Sequence, residues 1–179
     1  VTTVYQGCSE AFAAVTPEDV VVARQALNLP ERYILFVGSI EERKNLALIV
    51  EALAQLQDKD IHLVAVGRKT PYVNTVVDSA RRLGVLSRLY LMHGVGSAML
   101  PGIYAGAKVF VYPSRFEGFG IPLIEALNAG VPVIGATGSC LEEAGGPSSL
   151  YTDPSDATML ASMIDRVLID ISLRQKMIT

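Results

Sequence analysis

The chain has 179 residues, half of them apolar and only 18% charged, a globular composition long enough for one domain with its own core. Eighteen acidic residues against 15 basic ones leave a net charge of −3, which argues against general nucleic-acid binding. Two histidines cannot build a His-rich metal cluster, and Cys8 and Cys140 form no CxxC pair, so free thiols are expected rather than a disulfide or a metal site.

Residues 1–14 open with a short apolar run and turn polar at Tyr5 to Glu10. A helix is predicted from Pro17 to Leu27, with Thr16 as N-cap and Pro17 at the first helical position, where a missing N–H costs nothing. Tyr33 to Val37 is a continuous apolar run ending at Gly38, the pattern of a parallel strand covered on both faces. Ser39-Ile40-Glu41-Glu42-Arg43-Lys44-Asn45 follows, and period-3.6 apolar positions predict a helix over 46–57. A glycine turn with Arg43 and Lys44 near a helix start suits a polyphosphate. The alternative is a solvated basic pair that balances Glu41 and Glu42.

A second strand is expected over 61–66, ending at Gly67 and followed by Arg68 and Lys69. A helix over 72–83 stops at Gly84, and 88–92 reads as the third strand. His93-Gly94-Val95-Gly96 comes next; without a third glycine it is not a dinucleotide fingerprint. A short helix over 98–105 then leads to a fourth strand over 108–112.

The most informative stretch is Phe116-Glu117-Gly118-Phe119-Gly120-Ile121-Pro122-Leu123-Ile124-Glu125-Ala126-Leu127-Asn128-Ala129-Gly130. It reads as a glycine-broken loop and then a helix. Pro122 lies in the first turn, Leu123, Ile124 and Leu127 form an apolar face, and Gly130 ends the helix before a strand over 131–134. The helix start turns free N–H groups and a partial positive charge toward the loop, and the glycines let a ligand approach the backbone. Glu117 and Glu125 flank this anion site and suit the hydroxyls of a sugar or ribose. As plain structure they would be a solvated loop charge and a helix-surface charge near a favourable dipole end.

Beyond it, 135–145 forms a loop and short helix in which Glu143 is structural. Residues 149–151 make a short edge strand, Asp153-Pro154 begins a turn, and Ser155 caps a helix over 156–169 that runs on. The alternation predicts an α/β fold: a Rossmann-like, doubly wound parallel sheet of about six strands. Ligands of such sheets bind at the carboxyl ends of the strands. Gly38, Gly67, His93-Gly94 and Glu117 to Gly120 all follow strands, so they should share one edge.

The string EGFGIPLIEALNAGVPVI, with Glu117 and Glu125 in an E-x7-E spacing, resembles the glycosyltransferase family 4 enzymes, the group 1 glycosyl transferases. These are retaining enzymes of the GT-B fold, and the resemblance covers nearly the whole chain but only their C-terminal, donor-binding half. It implies that residues 1–15 are the interdomain linker, with Gln6-Gly7 at its turn and Phe12 at its aromatic position. Residues 16–179 would be the nucleotide-sugar domain. The absent initial methionine fits a piece of a longer protein, and family members continue past Thr179 into a last helix.

The implied ligand is a GDP- or UDP-linked sugar, with no metal. Glu117, Lys44 and Arg43 would be catalytic. Gly38-Ser39 with Arg43-Lys44-Asn45 resembles the family's G-x-x-x-x-R-K-N element, which places Lys44 on the diphosphate. Many relatives carry arginine directly after the glycine; here it is Ser39, which leaves Arg43 as the candidate second cation. Gly67-Arg68-Lys69 resembles the glycine–basic loop of the nucleotide pocket, the alternative being an ordinary strand-to-helix turn; His93 and Gly94 fall where the family holds the base, and His93 either packs against the base or fills the loop. Glu117 would take the sugar hydroxyls, lined by Gly118, Phe119 and Gly120. Amides around Ile121, Pro122 and Leu123 would take the diphosphate, and Glu125 the ribose. A glycan or lipid-linked acceptor would come through the missing N-terminal domain. No apolar run has transmembrane length and no signal peptide is visible, so the cytoplasm is the expected location. The alternatives are another GT-B enzyme, glycogen-synthase-like or a sugar-nucleotide epimerase, and a non-catalytic nucleotide-binding module.

Overall fold

A computed structural model describes residues 8–178 of the chain, so the turn at Gln6-Gly7 lies outside the described residues. Six strands form one sheet: β1 (Tyr33–Val37), β2 (His62–Val66), β3 (Leu89–Met92), β4 (Val109–Tyr112), β5 (Val133–Ala136) and β6 (Leu150–Thr152). Their order is β3-β2-β1-β4-β5-β6, and every pairing is parallel. The direction of winding reverses between β1 and β4, which opens a crevice beyond the carboxyl ends of those two strands.

The helices are α1 (Pro17–Leu27), α2 (Leu46–Gln55), α3 (Val73–Arg82), α4 (Leu100–Ala105), α5 (Ile121–Asn128), α6 (Leu141–Gly145), α7 (Ala157–Ile169) and α8 (Ile171–Met177). Contacts join α2 to α3 and α7 in one layer, and α1 to α4, α4 to α5 and α5 to α6 in the other. The middle strands are sealed between these layers: Ile34, Leu35, Phe36, Leu63, Val64, Val109, Phe110 and Val111 are fully buried. That is why they read as unbroken apolar runs rather than alternating ones. Edge strand β3 is only half-buried throughout. Phe12, just before the domain proper, packs edge-on against Tyr104 with ring centroids 5.3 Å apart.

The local signals at α1 hold in detail. The Thr16 hydroxyl accepts the Asp19 N–H at 3.3 Å, and Asp19 Oδ2 accepts the Thr16 N–H at 2.8 Å. This reciprocal cap satisfies two otherwise orphaned donors.

Elsewhere the boundaries move for identifiable reasons. The helix expected over 98–105 splits into a 3-10 turn, Ser97–Met99, and α4, with Pro101 in the first turn of α4. Strand β5 starts two residues late because Pro132 has no N–H for the ladder; its carbonyl still accepts the Phe110 N–H at 2.8 Å. The cap of α7 is Asp156, which accepts the Met159 N–H at 2.7 Å, and not Ser155, whose N–H and hydroxyl both donate to Asp153. The run past Ile169 is interrupted at Asp170, whose carboxylate caps the separate helix α8 through the Leu173 N–H at 2.8 Å. Among the described residues no helix is long and apolar enough to cross a membrane.

Candidate functional site

At the end of β1 the chain turns through Gly38 and reaches Lys44 in a short 3-10 turn, Glu42–Lys44. At the end of β4 it runs through Tyr112 to Glu117. These two loops, 73 residues apart in sequence, meet in the crevice. Lys44 Nζ donates to Glu117 Oε1 at 2.5 Å and to the Tyr112 hydroxyl at 2.5 Å. The ammonium also lies 5.1 Å from the Tyr112 ring centroid. Lys44 and Glu117 are nearly buried, with side chains 9% and 10% exposed. Burial of a lysine is tolerated only with such partners. Burial pushes the Tyr112 phenol far above its ordinary value, and the negative charge of Glu117 adds to that. Tyr112 therefore stays a neutral hydroxyl.

A frame of hydrogen bonds fixes the two loops. Arg43 carbonyl oxygen accepts the Arg115 N–H at 2.9 Å and the Ser114 hydroxyl at 3.2 Å. Asn45 sits in the left-handed region at φ 63° and sends its amide to the carbonyls of Pro113 (3.1 Å) and Pro154 (2.7 Å). It thereby ties the start of α2 to the ends of β4 and β6. The residue before a helix commonly caps it, but Asn45 makes no such bond.

Two clefts open here and share Gly38. The first, about 460 Å³, is walled by Lys44, Tyr112, Glu117 and the segment from Gly118 to Pro122. No side chain caps the start of α5. Gly120, at φ 94°, supplies a conformation that L residues rarely adopt, and a Cβ there would meet Leu141 at 2.8 Å. The expectation for the amides of 121–123 needs correction. Pro122 has no N–H, and the Leu123 N–H is spent on the Gly120 carbonyl at 3.0 Å while its side chain is fully buried. Leu123 is therefore a core residue, and Ile121 is the first-turn amide left for a ligand.

The second cleft, about 470 Å³, is lined by Val37, Gly38, Ser39, Gly67, Arg68, Lys69, His93, Gly94 and Leu100. His93 Nδ1 lies 2.7 Å from the Gly67 carbonyl, which requires a proton on Nδ1. Neutral His93 then keeps Nε2 as an acceptor. Gly67 permits very close packing: a Cβ there would lie 1.7 Å from the Gly38 carbonyl oxygen.

Arg43 does not wall either cleft. It is 46% exposed and donates to Glu41 (3.1 Å) and to the Phe116 carbonyl (3.0 Å), with Glu117 at 3.6 Å. Glu125 is half-buried on α5 and accepts the Tyr104 hydroxyl at 2.8 Å. Burial pushes its carboxyl up, and the Tyr104 hydrogen bond pulls it partly back. Tyr104, Tyr112 and Asn45 are the partners that sequence reading missed. Cys140 donates to the Glu117 carbonyl at 3.2 Å, and burial pushes its thiol up, with the negative charge of Glu117 adding to that. Among the described residues no group of three or more His, Cys, Asp and Glu side chains is placed to hold a metal.

A parallel sheet with a paired lysine and carboxylate at its switch point, beside an uncapped helix start, defines a Rossmann-like domain suited to an anionic ligand. The sequence matches the family described as Glycosyl transferases group 1 over residues 19–179, and the chain belongs to that family. It is 31% identical over 175 residues to the O-antigen chain mannosyltransferase B of Escherichia coli, covering 94% of this chain and 45% of that protein. The crystal structure of HepE from Anabaena, in complex with UDP and glucose, superposes with a TM-score of 0.82 at 22% identity, covering 92% of this chain and 46% of that one. Sucrose-phosphate synthase from Thermosynechococcus elongatus gives 0.79 at 30% identity, covering 95% and 44%. The fold is that of the C-terminal domain of GT-B glycosyltransferases. The chain thus spans less than half the length of the curated relatives it matches.

Proposed function

We propose that this chain is the donor-binding domain of a retaining glycosyltransferase that moves a hexose, mannose or glucose, from a GDP- or UDP-linked sugar. The observation that carries the reading is the convergence of Lys44, Tyr112 and Glu117 with the uncapped start of α5 around one cleft. In this reading Lys44 and the Ile121 amide hold the diphosphate. Glu117 accepts hydroxyls of the transferred sugar against the Gly118-Phe119-Gly120 backbone. Glu125, held by Tyr104, accepts the ribose hydroxyls, and the cleft of Gly38, Ser39, Gly67, His93 and Gly94 takes the base.

The chemistry follows from these positions. As the glycosidic bond breaks, negative charge gathers on the leaving diphosphate. Lys44, with Arg43 at the rim, and the Ile121 N–H stabilise it without a metal. The mannosyltransferase relative and the UDP-bound neighbour support a nucleotide-sugar donor. A glycan or lipid-linked acceptor would meet the donor through an N-terminal domain, so this segment alone binds donor weakly and turns over little. We place the reaction in the cytoplasm, with any membrane contact made outside this segment.

Calorimetric titration with GDP-, UDP- and ADP-sugars tests the reading, with Lys44→Ala and Glu125→Ala as controls. Binding that prefers one base and falls at least tenfold in both variants is expected. Equal binding by parent and both variants would refute the site.

A further inference from the structure

The polar groups that line the second cleft differ in kind. Its walls are apolar at Val37, Val66, Val95 and Leu100, which suits the flat faces of an aromatic ring system. Arg68 and Lys69 can only donate hydrogen bonds, while neutral His93 offers Nε2 as an acceptor.

The loop that carries Arg68 is pinned on both sides. Gly67 N–H donates to the Met92 carbonyl at 3.0 Å and Ile40 N–H to the Arg68 carbonyl at 3.1 Å, and the Thr70 hydroxyl donates to the Ile40 carbonyl. The Arg68 guanidinium is held at one corner, where Nη2 donates to Glu41 Oε1 at 3.1 Å. Its other N–H groups have no partner among the described residues, and the side chain is 76% exposed. The His93 ring is fixed by its Nδ1 bond to the Gly67 carbonyl at 2.7 Å, which leaves Nε2 directed away from that carbonyl.

A planar guanidinium fork calls for two acceptors side by side. Guanine has them in O6 and N7, the commonest partners of an arginine fork, and it keeps N–H donors on its other edge for an acceptor. Adenine sets N7 beside an amino donor, so a fork meets one acceptor and one donor. Uracil separates its two carbonyls by an N–H. Cytosine has two adjacent acceptors but a single ring to lay against the apolar walls.

We infer that this cleft selects guanine, with Arg68 on O6 and N7 and His93 Nε2 accepting from the opposite edge, so that the donor is a GDP-linked sugar. The inference rests on the donor-site reading above.

The test is calorimetric titration of the chain with GDP, UDP, ADP and CDP, and with 7-deaza-GDP, which lacks N7, for the parent, Arg68→Ala, Arg68→Lys and His93→Ala. The parent should bind GDP about tenfold or more tighter than the other three natural diphosphates, the discrimination that one bidentate base contact supplies. Arg68→Ala should bring GDP down to the level of UDP while UDP itself changes less than about twofold. Arg68→Lys keeps the charge but not the fork, so it should stay close to Arg68→Ala, and 7-deaza-GDP should bind the parent less tightly than GDP. His93→Ala should weaken GDP binding as well. Matched melting curves will show that each variant is folded. A parent that binds UDP, ADP or CDP as tightly as GDP overturns the selectivity and leaves the donor site standing. Equal losses for all four diphosphates in Arg68→Ala overturn the base contact, because a reader of guanine acts on only one of them. A parent that binds no diphosphate overturns the donor site and this inference with it.

Discussion

Tyr104→Phe removes one oxygen and little else. The ring is fully buried and packs against Phe12 at 5.3 Å and Phe110 at 5.2 Å, contacts that phenylalanine keeps. What it loses is the hydroxyl that donates to Glu125 Oε2 at 2.8 Å. A hydrogen bond to a charged partner contributes about 1.5–3 kcal/mol net, and because Glu125 is half-exposed, water replaces part of it. The expected cost near neutral pH is therefore about 1.5 kcal/mol, or roughly 3–6 °C in melting temperature for a domain of this size. The sign of the pH dependence also follows. Burial raises the Glu125 carboxyl above its ordinary value in the fold. Stability from that group is full below the ordinary carboxylate range and is lost as pH rises through the raised value. Removing the hydroxyl raises the value further, so the deficit of the variant grows with pH. Melting curves at about pH 4 and about pH 7.5 should show a small deficit at acid pH and the full one at the higher pH. A variant that melts with the parent at both, or that suffers more in acid, would refute the role given to this hydroxyl.

Gly67→Ala should destabilise by about 3 kcal/mol and abolish nucleotide binding, because backbone must move to admit a Cβ 1.7 Å from the Gly38 oxygen; urea unfolding and calorimetry measure both. For Asn45→Ala, loss of one buried and one partly buried hydrogen bond plus a left-handed backbone should cost about 3 kcal/mol. Asn45→Gly keeps the backbone and should recover about 1 kcal/mol of this, which chemical denaturation can resolve. Adding Mg²⁺ or EDTA should leave nucleoside diphosphate affinity within about twofold, since Lys44 and the Ile121 amide supply the charge; a sharp tightening with Mg²⁺ would contradict that.

Much of the fold was legible because a parallel sheet covered on both faces leaves an unmistakable mark. Tyr33 to Val37 and the run ending at Val66 announce buried strands, and Gly38 and Gly67 announce their ends. Glu117 and Lys44 could be named from their loops. Their contact could not, since only the strand order puts residues 73 positions apart side by side. Tyr104 and Tyr112 lie within apolar stretches and read as core, which their rings are; the hydroxyls gain their roles from partners on other elements. Asn45 stands where a helix cap belongs, so no local rule points its amide at Pro113 and Pro154. Leu123 was assigned to the ligand through its amide, and the 3-10 bond to Gly120 that occupies that amide is set by how the glycine turns.

The bond between Lys44 and Glu117 has one more implication. The lysine already holds a resident counterion, so in the proposed donor site a phosphate that took the place of Glu117 would exchange with a carboxylate and not fill a bare charge. Swapping one anion for another at a single contact releases little Coulomb energy. The exchange becomes favourable only for a ligand that adds contacts elsewhere and gives Glu117 new hydrogen-bond donors in return. A nucleoside diphosphate sugar offers both, while inorganic phosphate offers neither. In the proposed donor site Glu117 would thus act as a threshold against small anions in the crevice between β1 and β4.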